Sequence, residues 1–262
     1  MATYLDRIVA AHRAAAARDK RDRSALQAVA ERMVPTRRFR DALANSHEVT
    51  VIAEVKRRSP QKGDLAPDLD PAELARAYHA GGAAALSVLT DSDFFSGSFQ
   101  DLQAARDAVP LPVLRKDFTV GPTDVLDARL MGADAVLLIV AVMGSRQLRS
   151  LLDLAGHLGI DALVEVHDEK EAELALEVGA GLIGVNQRDL YTFDVDTNRA
   201  ARVAASLPAD VVRVAESGIR NADDVRRLGD AGFDAVLVGE SLVTSPDPTA
   251  AVAGLRVARS RL

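Results

Sequence analysis

Ala135-Val136-Leu137-Leu138-Ile139-Val140 is apolar without interruption and continues so to Met143. A strand with water on one face alternates apolar and polar residues, whereas one buried on both faces does not, so this run reads as a strand of a covered parallel sheet. It is far short of the ~20 apolar residues that span a bilayer. Just before it stands Met131-Gly132-Ala133-Asp134, where glycine supplies the left-handed residue that ends a helix. The same punctuation recurs at Leu158-Gly159-Ile160-Asp161, Val178-Gly179-Ala180-Gly181 and Ala231-Gly232-Phe233-Asp234.

Working outward, eight short apolar runs centre near Val51, Leu86, Val113, Val136, Leu163, Ile183, Val212 and Val236, at gaps of 20 to 35 residues. Each gap holds a strand, a loop and a helix. Asp70-Pro71 supplies a cap and a first-turn proline, and Ser98, Ser145 and Asn221 are further candidate caps. An open doubly wound sheet shares this alternation. Eight units with no linker or shift of composition favour an α/β fold of the closed (β/α)8 TIM barrel type with an N-terminal helical extension. The division expected is an extension over 1–48, packed on one end of the barrel, and a catalytic barrel over 49–262. In the extension Leu5, Ile8 and Val9, then Leu26, Val29 and Met33, have helical spacing, and Pro35 breaks the run. Arg7, Arg13, Arg18, Arg21 and Arg23 read as its solvated face.

Composition narrows the function. Of 262 residues, 32 are Lys or Arg and 38 Asp or Glu, a net charge of −6, which disfavours nucleic acid as partner. There is no cysteine, so thiolate chemistry is excluded. Aromatics are 4%, too few for base-stacking platforms. Met1-Ala2-Thr3-Tyr4-Leu5-Asp6 lacks the basic-then-apolar layout of a secretory signal, and a cytoplasmic location with no membrane partner is expected. His12, His47, His79, His157 and His167 show no metal-ligand spacing. No Rossmann fingerprint or Walker loop is present, so nucleotide cofactors are not indicated.

Barrel chemistry sits where strands end at the C-terminal face. Glu54 and Lys56 close the first run two residues apart, on one side of the strand. Lys116 closes the third, Glu165 lies in the fifth, Asn186 then Arg188 follow the sixth, and Glu216-Ser217-Gly218 follows the seventh. A charge at one strand end is ordinarily a solvated loop residue, but five such strand ends could face one cavity. An ion-pair plug that merely closes the barrel would use the same groups. Gly218 and Gly239, after strands seven and eight, stand where such barrels bind phosphate through backbone N–H groups; as tight turns they would need no ligand.

These blocks resemble the indole-3-glycerol phosphate synthase family of tryptophan biosynthesis. The resemblance runs from about Val51 to Val243 through Ile52-Ala53-Glu54-Val55-Lys56-Arg57-Arg58-Ser59-Pro60, Phe94-Phe95-Ser96-Gly97-Ser98 and Leu114-Arg115-Lys116-Asp117-Phe118. It continues in Val164-Glu165-Val166, Gly184-Val185-Asn186-Gln187-Arg188-Asp189-Leu190, Ala215-Glu216-Ser217-Gly218-Ile219 and Gly239-Glu240-Ser241. The family converts 1-(2-carboxyphenylamino)-1-deoxyribulose 5-phosphate to indole-3-glycerol phosphate, carbon dioxide and water.

The resemblance implies a carboxy-lyase with Lys116 as general acid of ring closure and Glu165 as the dehydration group. Lys56 would hold the aryl carboxylate or phosphate, and would be a second candidate for the acid role. Glu54 and Asn186 would position the lysines and substrate hydroxyls, with Glu216 and Ser217 as direct contacts. Ser59, Gly218, Gly239 and Ser241 would cradle the phosphate with Arg188 nearby, and Phe94 or Phe95, Phe118 and Leu137 would wall the aryl ring. No cofactor or metal is implied. The partner is the sugar-phosphate/anthranilate substrate, and a monomer or weak dimer is expected. Clustering of the two lysines is expected to lower the pKa of each. Gln61, Gly121-Pro122-Thr123 and Gln187 depart from the family pattern without touching a proton-transfer group. Phosphoribosylanthranilate isomerase is disfavoured by the missing cysteine base. A Schiff-base aldolase would use Lys56 or Lys116 as its nucleophile. A non-catalytic phosphate-binding barrel would need neither lysine, nor Glu165.

Overall fold

The structure, a computed structural model, describes residues 3–44, 47–189, 191–192 and 194–259. Met1, Ala2 and the Leu190 of the sixth-strand motif lie outside the described residues. Eight strands form the barrel: β1 (Glu48–Val55), β2 (Ala85–Leu89), β3 (Val113–Lys116), β4 (Ala135–Ile139), β5 (Asp161–Val166), β6 (Leu182–Asn186), β7 (Val212–Glu216) and β8 (Ala235–Val238). Each is parallel to its neighbour, and β1 closes on β8 with Val51 opposite Val236 and Ala53 opposite Val238. All eight apolar runs fall in these strands.

The period-2 geometry of a strand divides the core in two. Ile52, Leu114, Ala135, Leu137, Leu163, Leu182, Val214 and Leu237 pack together inside the barrel. Val51, Val113, Val136, Leu138, Val164, Ile183 and Val236 pack against the surrounding helices. Every residue of β4 is buried because its alternate side chains serve both cores. The inward parity then fixes the chemistry. Counting by twos from Ile52, Leu114, Leu163 and Val214 arrives at Glu54, Lys116, Glu165 and Glu216.

Helix punctuation mostly matches the sequence reading. Asp70, Ser98 and Asn221 accept N–H bonds as caps, and the glycines 132, 159, 179 and 232 have φ between +67° and +92°. Ser145 is a correction: Gly144 holds the cap position and Ser145 is the first helical residue.

The extension is also corrected, since it covers both ends of the barrel. Helix α1 (Tyr4–Arg18) lies over the C-terminal mouth, where Leu5 and Val9 join the inner core. Helix α2 (Arg23–Ala30) runs along the outside, and α3 (Phe39–Leu43) plugs the opposite end with fully buried Phe39 and Leu43. Burying two such side chains stabilises the plug by about 2–3 kcal/mol each. The backbone N–H groups of Arg37 and Arg40 donate to Asp134 and Asp161, at the N-terminal ends of β4 and β5. Two of the arginines read as a solvated face instead bind the barrel. Arg13 donates to the Val142 carbonyl at 2.8 Å and Arg21 to Asp127 at 2.8 Å.

Candidate active site

A cavity of about 530 Å³ opens at the C-terminal mouth, a size suited to a small-molecule ligand. Glu54, Lys56, Lys116, Glu165, Asn186 and Glu216 all line it. Lys56 Nζ lies 2.6 Å from Glu54 Oε1. Lys116 Nζ lies 3.3 Å from Glu216 Oε2 and 3.4 Å from Glu165 Oε2. Asn186 Nδ2 donates to Glu165 Oε1 at 3.1 Å, while its own Oδ1 accepts from Ser217 Oγ at 2.8 Å and the Arg188 N–H at 3.0 Å.

Glycines make room for this crowding. A Cβ on Gly184 would lie 2.2 Å from Glu216 Oε1, and one on Gly239 would lie 2.3 Å from Glu54 Oε1. Gly239 therefore serves the Glu54–Lys56 pair as well as the rim of the cavity.

Burial and charge decide the protonation states. Burial pushes the Glu54 carboxyl up, but Lys56 and Lys116 outweigh it and hold it below the usual range. Burial also opposes ionisation of Glu165, yet Lys116, His167 and Asn186 keep it low. Glu216 goes the other way: burial and the Glu165 charge overcome Lys116 and push it up to about 7. The expectation of a lowered lysine is overturned at Lys116. Burial works against its charge, but Glu216, Glu165 and Glu54 surround it and raise its pKa. Lys116 is governed by the carboxylates around it, and Lys56 pairs with Glu54. Lys116 therefore stays an ammonium, the form a proton donor needs.

One flank is apolar and the other is small and polar. Phe95, Phe118 and Leu137 line the first, with the Phe95 and Phe118 rings 6.4 Å apart. Phe94 is a correction: it is absent from the lining and meets Tyr4 edge-on at 5.8 Å. Ser59, Ser217, Gly218, Gly239 and Ser241 line the second. Ser217 and Gly218 are consecutive left-handed residues, at φ +68° and +73°. Arg188 also lines the cavity, and its guanidinium donates to Gln61 Oε1 at 2.6 Å, beneath the small hairpin of Arg58–Ser59 and Gly63–Asp64. Lys62 of that hairpin pairs with Glu240 across the mouth.

A family model described as "Indole-3-glycerol phosphate synthase" matches residues 5–255. The chain belongs to this family. A synthase of that name from Mycolicibacterium vanbaalenii is 57% identical over 207 residues, covering 79% of this chain and 76% of the relative. Another, from Leifsonia xyli subsp. xyli, is 52% identical over 243 residues, covering 92% and 93%. Solved structures share the fold alone. A thiamine phosphate pyrophosphorylase from Pyrococcus furiosus aligns with TM-score 0.59 at 19% identity, covering 79% of this chain and 93% of that one. An N-acetylmannosamine-6-phosphate 2-epimerase from Clostridium perfringens aligns with TM-score 0.57 at 14% identity, covering 73% and 86%.

Within this synthase framework, some residues escaped the sequence reading. Tyr4, Leu5 and Ile8 of α1 line the cavity, although their spacing is that of any packed helix. His167 Nε2 lies 3.4 Å from Glu165 Oε1; its place two residues after Glu165 was the available signal. His12, Asp91 and Asp117 bring three potential metal ligands within 4.8 Å, which sequence spacing did not suggest. Their carboxylates are already engaged: Asp91 accepts from His12 and the Phe94 N–H, and Asp117 from Arg115 and the Phe118 N–H.

Proposed function

We propose that this chain makes indole-3-glycerol phosphate by ring closure, decarboxylation and dehydration of 1-(2-carboxyphenylamino)-1-deoxyribulose 5-phosphate. The observation that carries the residue assignment is the Lys116 ammonium between Glu165 and Glu216 in a cavity with one aromatic flank and one glycine–serine flank. The aryl ring lies along Phe95, Phe118 and Leu137. The phosphate rests on Ser59, Gly218, Gly239 and Ser241, with Arg188 and Ser217 beside it. Lys56, fixed by Glu54, holds the aryl carboxylate.

In the first step Lys116 gives its proton to the ketone oxygen as the aryl carbon attacks the ketone carbon. Carbon dioxide then leaves, its bonding electrons restoring the aromatic ring. In the last step water leaves with a proton supplied by the Lys56 ammonium, while Glu165 takes the proton released by the carbon that joins the new double bond. Asn186 and Glu216 orient Glu165 and Lys116 throughout. No step calls for a cofactor. The extension (1–48) and the barrel (49–262) act as one catalytic unit, because α1 side chains line the cavity.

Small-molecule chemistry of this kind fits a cytoplasmic enzyme acting without nucleic acid or membrane, as a monomer or weak dimer. Among the described residues no helix is long and apolar enough to cross a membrane. The test is the fluorescence of the indole product when purified protein receives the anthranilate-derived substrate. Steady product formation is expected; its absence in a folded sample would overturn the reading.

A further inference from the structure

The Glu165 carboxylate is held asymmetrically. Its Oε2 faces Lys116, whereas its Oε1 faces Asn186 Nδ2 at 3.1 Å and His167 Nε2 at 3.4 Å. His167 stands just past the end of β5, outside the cavity lining, with a side chain only 12% exposed. Its other ring nitrogen, Nδ1, lies 3.1 Å from Glu171 Oε2, and that oxygen also accepts the His167 backbone N–H at 2.7 Å. Glu171 is fixed in turn. It sits in the first turn of the helix Glu169–Glu177, where its N–H donates to the capping Asp168. The start of that helix thus reaches the buried oxygen of Glu165 through one imidazole, hydrogen-bonded at Nδ1 and in ionic contact at Nε2.

We propose that His167 is a positioning residue for Glu165, bridging it to Glu171 so that Glu165 keeps one oxygen turned toward the reacting centre. The inference rests on the assignment of Glu165 made above. Charge supports the geometry. Burial works against an imidazolium at this position, while the Glu165 and Glu171 carboxylates work for it and prevail, raising His167 to about 10. The charged groups facing this assembly are Glu165 on β5, Glu171 on the following helix, and Lys116 on β3 beyond Glu165. A cation behind Glu165 favours its ionised form, so removing that cation makes the carboxylate cluster harder to ionise.

The experiment compares the parent with His167→Ala in steady-state assays of indole formation, with circular-dichroism melting as the fold control. The expected result is a fall of about tenfold in kcat with KM within about twofold, the split of a group that positions the base without holding substrate. Parent-like kcat would overturn the proposal, as would a loss confined to KM. Should His167→Ala fail to fold, Glu171→Gln at the outer, 21% exposed end of the bridge reads the same effect in weaker form. A fall in kcat of about twofold or more with KM unchanged supports the role, and parent values overturn it. An inactive parent would instead defeat the synthase assignment, which separates the two failures.

Discussion

Lys116 Nζ lies 3.3 Å from Glu216 Oε2, an ammonium and a carboxylate both drawn out of water at the mouth of the barrel. Each offsets the other's burial, and their difference in pKa direction follows from the surroundings. Lys116 faces three carboxylates and is held protonated, whereas Glu216 shares its one strong cation with Glu165 and is pushed up to about 7. Lys116→Ala is expected to lower kcat by roughly 10² or more, the loss typical of a general acid. Parent-like turnover in a single-turnover assay would remove Lys116 from that role.

Glu216 has a consequence for stability. Its folded pKa of about 7 lies above the 4.5 of a free carboxyl, so between those values the native state keeps a proton that the unfolded chain has released. The stabilising contribution is full below about pH 4.5 and is lost as pH rises to about 7. Glu216→Gln imitates the protonated form and removes this dependence. The unfolding free energy of the variant relative to the parent, read from denaturant titrations, is expected to rise from pH 5 to pH 8 by an amount on the order of 2 kcal/mol. A difference that stays flat over that range would contradict the raised carboxyl.

Gly239 is a sensitive point because a methyl group there would lie 2.3 Å from Glu54 Oε1 and 3.1 Å from Lys56 Nζ. The Glu54 side chain could move aside, but the 2.6 Å pair with Lys56 would be disrupted. Gly239→Ala is expected to melt within about 2 kcal/mol of the parent and to lose activity at least tenfold, read as kcat/KM. Full activity would show that the pair is dispensable.

Ser241 lines the polar flank, and its hydroxyl donates to the Ile219 carbonyl at 3.3 Å. An aspartate there would repel a bound phosphate. Ser241→Asp is expected to raise KM by about tenfold or more with a smaller effect on kcat; an unchanged KM would sink the phosphate assignment.

Much of the site was legible because parity is local. Once Ile52, Leu114, Leu163 and Val214 are assigned to the barrel interior, a two-residue step carries each strand to its functional group. The resemblance to the family motifs then supplied the roles proposed above. Three features were not legible for physical reasons. Phe94 and Phe95 are adjacent in a short helix, and only the packing of Tyr4 decides which one turns away from the cavity. The raised pKa of Lys116 depends on carboxylates arriving from β1, β5 and β7, a sum that no single segment contains. The reach of residues 3–44 to both ends of the barrel depends on long-range contacts such as Arg21 with Asp127, which helical spacing does not encode.

Because α1 lies across the mouth and Tyr4 lines the cavity, the first turn of this helix stands beside the cavity opening. Affinity tags or fusion partners placed there would obstruct traffic of ligand in and out, and a kinetic comparison with a C-terminally tagged preparation would register the hindrance. A minimal barrel cut free of its first forty residues would lose roof and floor together.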